Sequence, residues 1–258
     1  MIRWKIILKR LLGVKELLRL VKIEFYKLRR KKLIWIMLLP ALIMPFFAFL
    51  YFGYLRAVNI DPRLFYKWST FGFTLFIILP FILGLFGIML MHDENRYDML
   101  KQIWIVPISK MGYFFSKFFV VLIYSILFML ITALATVIFS ANYVAFEWNN
   151  IFFLLERCLE IAVLTSVAIL PLLAISSSQK GYIFPVCSTL LYVFAGFLIT
   201  PINSCLHPIS CISVIISRNE AILGLTLPQT SIPIAFLSIL IWCIFSVLFA
   251  NYQLSKRK

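Results

Sequence analysis

Long runs of apolar residues alternate with short polar segments along the whole chain. Six of these runs contain about 20 residues with few or no charges, which is long enough for a helix to cross the hydrocarbon core of a bilayer. They are 33–54, 71–91, 113–140, 152–176, 181–201 and 231–250. Because lipid offers no hydrogen-bond partners, a helix is the form in which each run satisfies its own backbone groups. The pattern predicts an all-α, polytopic membrane protein with six transmembrane helices.

The composition supports a membrane domain with little soluble mass. Apolar residues make up 63% of the chain, and the mean hydropathy is +1.00. The polar segments divide the chain into a cytoplasmic amphipathic arm, 1–32, a six-span domain, 33–251, and a short basic tail, 252–258.

The net charge of +15 is unevenly distributed. If the N-terminus is cytoplasmic, most Lys and Arg residues fall on the inner side, and only Arg56, Arg63, Lys67 and Arg218 fall outside. This bias predicts that both termini are cytoplasmic. A basic, amphipathic segment beside lipid is typical of a membrane-surface element, so no nucleic-acid partner is expected.

The arm repeats apolar residues at helical spacing, which predicts an amphipathic helix or two. The apolar positions are Trp4, Ile7, Leu8, Leu11, Val14, Leu18, Val21, Phe25 and Leu28. Two interpretations stay open: a positive anchor that sets topology, or an interface helix that carries force from a cytosolic partner.

A charged segment on the inner side, MHDENRYDMLKQIWIVPISKMGYFFSKF, separates the second and third runs. Asp93 is suited to cap a helix with Glu94 in its first turn. Tyr97, Leu100 and Trp104 recur at helical spacing, and Pro107 ends the pattern. The segment predicts a short amphipathic helix, which either rests on lipid or fills a groove in another protein.

The fourth run begins with ionisable residues. Glu156 and Glu160 lie one helical turn apart, and Arg157 lies beside Glu156. Ionisable groups at membrane depth are often functional. The favoured interpretation is an interfacial position from which these side chains reach water.

The segment 201–233 is too apolar for a solvated loop. ISCISVII, a polar SRNE and AILGLTL together predict a re-entrant hairpin of two short helices before the last run. His207 is expected to be a hydrogen-bonded loop residue. Cys205 and Cys211 could form a disulfide or remain free thiols, since their spacing does not decide between them.

Two elements resemble ABC-2 type transporter permeases. One is the E-x-R-x-x-x-L pattern of Glu94, Arg96 and Leu100, followed by VPISK at 106–110 and then Lys117. The other is the opening IEFYKLRRKKLIWIMLLPALI. The resemblance runs from about residue 23 onward and is strongest to the small permeases of lantibiotic-immunity and bacitracin-type exporters. Tyr97 and Asp98 stand where many members have Gly-Thr.

The resemblance implies a permease subunit of an ATP-driven exporter for a hydrophobic or amphipathic substrate, such as a peptide antibiotic or bacteriocin. It implies a second permease chain and a separate cytosolic ATPase that binds ATP and Mg²⁺, so this chain itself is not an enzyme. The implied location is a bacterial plasma membrane. The implied ATPase contacts are Asp93, Glu94, Arg96, Tyr97, Leu100, Trp104 and Pro107.

Two other classes stay open. An ion-coupled secondary transporter would use Glu156, Arg157 and Glu160, and a membrane scaffold would transport nothing. The sequence has no Walker A, G-x-S-x-G or H-E-x-x-H motif, and its two histidines, His92 and His207, fall on opposite sides of the predicted membrane domain. No catalytic residue and no metal site are therefore expected.

Overall fold

The computed structural model describes residues 17–29, 31–55, 60–96, 110–144, 147–179, 181–219 and 231–256. All regular elements in these ranges are helical. We number them α1 (17–29), α2 (Lys32–Tyr54), α3 (Pro62–His92), α4 (Lys110–Ser140), α5 (Trp148–Ser178), α6 (Ile183–Ile199), α7 (Pro208–Ile216) and α8 (Ile232–Lys256).

Five of these helices, α2, α3, α4, α5 and α8, are long and apolar enough to cross a membrane. They correspond to the first four predicted runs and the last one, which confirms an all-helical, multi-pass protein. The fifth run forms the shorter apolar helix α6, so the described residues contain five candidate spans and the sixth stays a prediction. The last predicted run ends at 250, but helix α8 continues to Lys256.

Two of the long helices are interrupted where the sequence contains proline. In α2, a 3₁₀ turn at Leu39–Leu42, which contains Pro40, separates Lys32–Ile36 from Ile43–Tyr54. Proline accounts for this break, because it removes a backbone donor and clashes with the preceding turn. In α5, Pro171 lies in the first turn of the second part, Leu170–Ser178.

Helix α3 begins at Pro62 rather than near 71, and its first half contains two wide turns that the sequence did not predict. The π-helical segments are Lys67–Phe71 and Thr74–Ile78. Buried hydroxyls surround them: the Thr74 hydroxyl donates to the carbonyl oxygen of Ser69 at 3.1 Å, and the Thr136 hydroxyl of α4 bonds the Ser69 hydroxyl at 3.2 Å. Such bonds satisfy backbone and side-chain polar groups that lipid cannot.

Glycines in α3 permit close contact with its neighbours. A Cβ atom at Gly84 would lie 2.4 Å from Cγ2 of Thr189 in α6, and one at Gly87 would lie 2.5 Å from Cδ2 of Leu173 in α5. Small residues at helix contacts are a general means of packing inside membranes, where the hydrophobic effect does not drive helices together.

Substitution of Gly84 by Ala is therefore expected to destabilise the bundle by about 1–3 kcal/mol, the usual cost of overpacking. Adding Thr189→Ala should restore most of the loss, because it removes the atom that the new methyl group meets. Thermal unfolding in detergent measures both variants. Gly181→Ala is the control, since nothing lies within 4 Å of a Cβ there. A stable Gly84→Ala variant, or a double variant no better than the single, would contradict the contact.

Helix α7 is the first of the two short helices predicted in 201–233. All of its residues are buried, and it packs against α5, α6 and α8. Residues 220–230, which would form the rest of the hairpin, lie outside the described residues. Cys205 and Cys211 are both free thiols.

His207 caps α7, which confirms its predicted role as a hydrogen-bonded loop residue. Its Nδ1 accepts a hydrogen bond from the backbone N–H of Ile209 at 3.2 Å. Burial lowers the pKa of His207 to about 4, so at neutral pH this nitrogen has a lone pair to accept with. Gly196 in α6 makes room for the ring, because a Cβ there would lie 2.8 Å from the same nitrogen.

Candidate functional site

A buried ion pair joins α1 to the start of α4. Nζ of Lys117 lies 2.7 Å from Oε2 of Glu24, and Nζ of Lys27 lies 3.1 Å from the other carboxylate oxygen. The Lys117 side chain is 1% exposed and that of Glu24 is 8% exposed. Nζ of Lys117 also lies 5.3 Å from the centre of the Tyr113 ring. Charges are kept in such surroundings only when they are paired.

This pair shows which side of α1 faces the bundle. The expected apolar face included Leu18 and Phe25, but both are exposed, whereas Glu24 and Leu28 are buried. The pattern of hydrophobic residues did not indicate that Glu24 would be buried, because it gives no signal for an acidic residue that faces the bundle. Pairing Glu24 with Lys117 requires that the carboxylate, rather than Phe25, faces the bundle.

Two other residues in the first turns of α4 contact other helices. Nζ of Lys110 donates to the carbonyl oxygens of Leu254 at 2.8 Å and Ser255 at 3.5 Å, at the C-terminal end of α8. A cation there complements carbonyl groups that have no partner within the helix. The Tyr113 hydroxyl lies 3.7 Å from the Met91 sulfur in α3. We call Lys110, Tyr113 and Lys117 the α4 hub, since together they contact α8, α3 and α1.

The α4 hub begins directly after the predicted ATPase-contact segment. The helical backbone continues beyond His92, the last residue of α3, to Arg96, so Asp93 lies inside a helix and is not the N-cap that the sequence indicated. Asp93, Glu94 and Arg96 therefore continue the helix beyond the candidate span, which ends at His92. Tyr97, Leu100, Trp104 and Pro107 lie outside the described residues.

His92, near the end of α3, contacts the turn before α6. Its ring centre lies 5.2 Å from that of Tyr182, in an edge-to-face arrangement. The contact brings the 181–182 turn beside the end of α3, at the same end of the bundle as the α4 hub.

A second polar cluster lies at the opposite end of the bundle, and we call it the far-end cluster. Nη1 of Arg157 lies 2.8 Å from Oε2 of Glu160, and the guanidinium of Arg218 pairs with the other carboxylate oxygen. The guanidiniums of Arg63 and Arg157 each lie 5.3 Å from the centre of the Phe153 ring. The cluster thereby joins α3, α5 and the segment after α7.

The structure brings together only part of the ionisable group predicted in α5. Arg157 is 5% exposed and is enclosed by protein, so the expectation that it would reach water was wrong. Glu160 is paired with Arg157, whereas Glu156 is exposed. Sequence reasoning missed Arg63 and Arg218, since no spacing relates positions so far apart in the chain. It also missed Phe153, although that residue lies one helical turn before Arg157.

Glu160→Gln is expected to lower the free energy of unfolding by about 1–3 kcal/mol, because it leaves a buried guanidinium without its carboxylate. The expected loss of stability is smaller than for a fully buried pair, because the Glu160 and Arg218 side chains keep some contact with solvent. Thermal unfolding in detergent measures it. Glu156→Gln is the matched control, with the same chemical change one turn away on an exposed carboxylate. Equal effects of the two variants would contradict the assignment.

The apolar helices and the buried polar contacts between them define a multi-pass integral membrane protein. A family model described as "ABC-2 family transporter protein" matches residues 20–196. This range covers about two thirds of the chain and contains the Glu24–Lys117 pair. The chain belongs to this family and is a membrane permease component of an ABC transporter. Membership implies association with an ABC ATPase subunit. Among curated proteins, none matches the chain.

Proposed function

We propose that this chain is the permease subunit of an ATP-driven exporter that moves a hydrophobic or amphipathic substrate, such as a peptide antibiotic or bacteriocin. The proposal extends the family membership with the resemblance to lantibiotic-immunity and bacitracin-type permeases. The structural observation that supports it is the Glu24–Lys117 pair, which joins the arm to the first turns of α4, beside the segment expected to meet the ATPase.

The proposed architecture has six spans and two cytoplasmic termini in a bacterial plasma membrane. Helix α6 is the fifth span, and α7 together with 220–230 forms a re-entrant hairpin. Consecutive spans in this architecture run in opposite directions across the membrane, and two contacts fit this. At one end of the bundle, Lys110 at the start of α4 reaches Ser255 near the end of α8. At the other end, Arg63 at the start of α3 reaches Phe153 near the start of α5.

In the proposed mechanism, two permease chains pair and a cytosolic ATPase docks under each. The ATPase binds ATP with Mg²⁺ and carries out the hydrolysis, so this chain is not an enzyme. The ATPase dimer closes when it binds ATP and pushes on residues 93–107 of the permease. Because the α4 hub connects the start of α4 to α1, α3 and α8, a displacement there is shared by four helices.

The far-end cluster offers less support for an ion-coupled transporter. Such a transporter needs a carboxylate that can exchange its partner during transport. Glu160 is paired with both Arg157 and Arg218, and Glu156 is exposed. The cluster is better suited to hold α5 against the segment after α7.

Site-specific crosslinking tests the proposal. Single cysteines at Tyr97, Leu100 and Trp104, in a variant without native cysteines, should crosslink to a co-expressed ABC ATPase. A cysteine at Trp148, an exposed residue at the start of α5 and at the far end of the bundle, should not. The same membranes are then loaded with candidate peptides to measure ATP-dependent export. Crosslinks absent from all three positions would overturn the docking site, and transport that follows an ion gradient without ATP would overturn the exporter.

A further inference from the structure

An apolar groove lies where α1, α2 and α4 meet on the surface of the bundle. Its volume is about 280 Å³. The residues that line it are Phe25, Leu28, Arg29, Trp35, Leu38, Ile123, Tyr124 and Leu127. The Tyr124 hydroxyl donates to the carbonyl oxygen of Ile34 at 3.0 Å, which holds α2 against α4 and forms the back of the groove. The front is open, since Trp35 and Ile123 are exposed.

One end of this groove carries positive charge. Arg29 is exposed and lines both the apolar groove and a neighbouring cavity of about 730 Å³. The described residues that line the second cavity are Ile23, Tyr26, Lys27, Arg29 and Lys31. Three of these five are cations and none is a carboxylate. The nearby carboxylate of Glu24 pairs with the buried Lys117 and with Lys27, so the described residues around this cavity carry more positive than negative charge.

We propose that the two cavities form a binding site for one anionic phospholipid. Its phosphate lies against Arg29 and the neighbouring lysines, and an acyl chain fills the groove between α2 and α4. The groove opens toward lipid and is lined by apolar side chains, so a hydrocarbon chain is its matching occupant. Basic side chains beside a span attract anionic head groups, and a guanidinium can form two parallel hydrogen bonds to a phosphate.

The site has a structural consequence for the arm. Phe25, Leu28 and Arg29 of α1 contribute to the groove together with Trp35 and Leu38 of α2. A lipid bound there contacts both helices at once, on a different side of α1 from the Glu24–Lys117 pair. The lipid therefore stabilises the arm against the bundle through contacts that do not involve the residues of the α4 hub.

Fluorescence quenching by brominated lipids tests this proposal. The purified full chain is placed in bilayers that contain brominated phosphatidylglycerol or brominated phosphatidylcholine. The fluorescence of the Trp35→Phe variant is subtracted from that of the unchanged protein, which gives the contribution of Trp35. The anionic lipid should reach half-maximal quenching at a mole fraction about fivefold lower than the zwitterionic lipid. Arg29→Gln should abolish most of this preference. Arg19→Gln, which removes the same charge from an α1 residue outside both cavities, should preserve it.

Each other outcome overturns the proposal. Equal quenching by the two lipids means that the groove admits bulk lipid without selecting a head group. A preference that survives in Arg29→Gln means that the selection occurs elsewhere. Absence of quenching by either lipid means that protein fills the groove. Competition by soluble glycerol 3-phosphate would show that the charged cavity binds an anion without the acyl chain.

Discussion

Replacing Glu24 with Gln should destabilise the protein by about 3–5 kcal/mol, because the change removes a carboxylate from beside a fully buried ammonium group. Lys117→Met should cost less. It leaves Glu24 next to Lys27, whose side chain is partly exposed, and it replaces a buried charge by an apolar side chain of similar length. The order of the two effects follows from the different burial of the two lysines.

Thermal unfolding and the yield of monodisperse protein in detergent measure these effects. The double variant Glu24→Gln/Lys117→Met should be more stable than Glu24→Gln alone, since it no longer contains an uncompensated buried charge. Lys27→Met is the control and should change stability by less than about 1 kcal/mol, as expected for a partly exposed pair. A double variant whose loss equals the sum of the single losses would show that Glu24 and Lys117 do not interact.

Reversing the charges of Glu94 and Arg96 should reduce ATP-dependent transport by at least about tenfold while the protein still folds. Loss of a central contact at a protein interface costs about 2 kcal/mol or more, and each 1.4 kcal/mol weakens binding tenfold. The expected cause is weaker docking of the ATPase on the segment that begins at the end of α3. This expectation rests on the proposed function.

The variant Glu94→Lys/Arg96→Glu is measured together with its ATPase by co-purification, by ATP hydrolysis and by transport. Glu147→Lys is the matched control: it reverses an exposed charge next to α5 at the far end of the bundle, and it should transport normally. Unchanged co-purification and transport in the Glu94/Arg96 variant would remove these two residues from the coupling site.

The apolar runs predicted the long helices well because membrane insertion depends on local composition. The boundaries of α2 and α4 lie within three residues of the prediction, and Pro40 marks the break in α2. Membership of the ABC-2 family also followed from local signals, namely the order of short motifs along the chain. Both kinds of information reside in consecutive residues.

The contacts between helices were not predictable in this way. Lys117 was recognised as part of a motif and Glu24 as part of another, but no local signal shows that they pair across 93 positions of sequence. Arg157 was expected to lie at the interface and reach water together with Glu156 and Glu160. Its burial depends on Glu160 and on Arg218, which is distant in sequence. The π-helical turns of α3 depend on hydroxyl groups supplied in part by α4.

The position of Lys117 has a consequence for how the protein is made. Glu24 leaves the ribosome long before its partner, so the arm has nothing to dock on until α4 has been synthesised. Conversely, a lysine within a span opposes membrane insertion, and pairing with the carboxylate of Glu24 offsets that cost. Maturation of the N-terminal region is thus tied to the third long apolar helix, and chains truncated before 117 should leave the arm undocked and open to proteases.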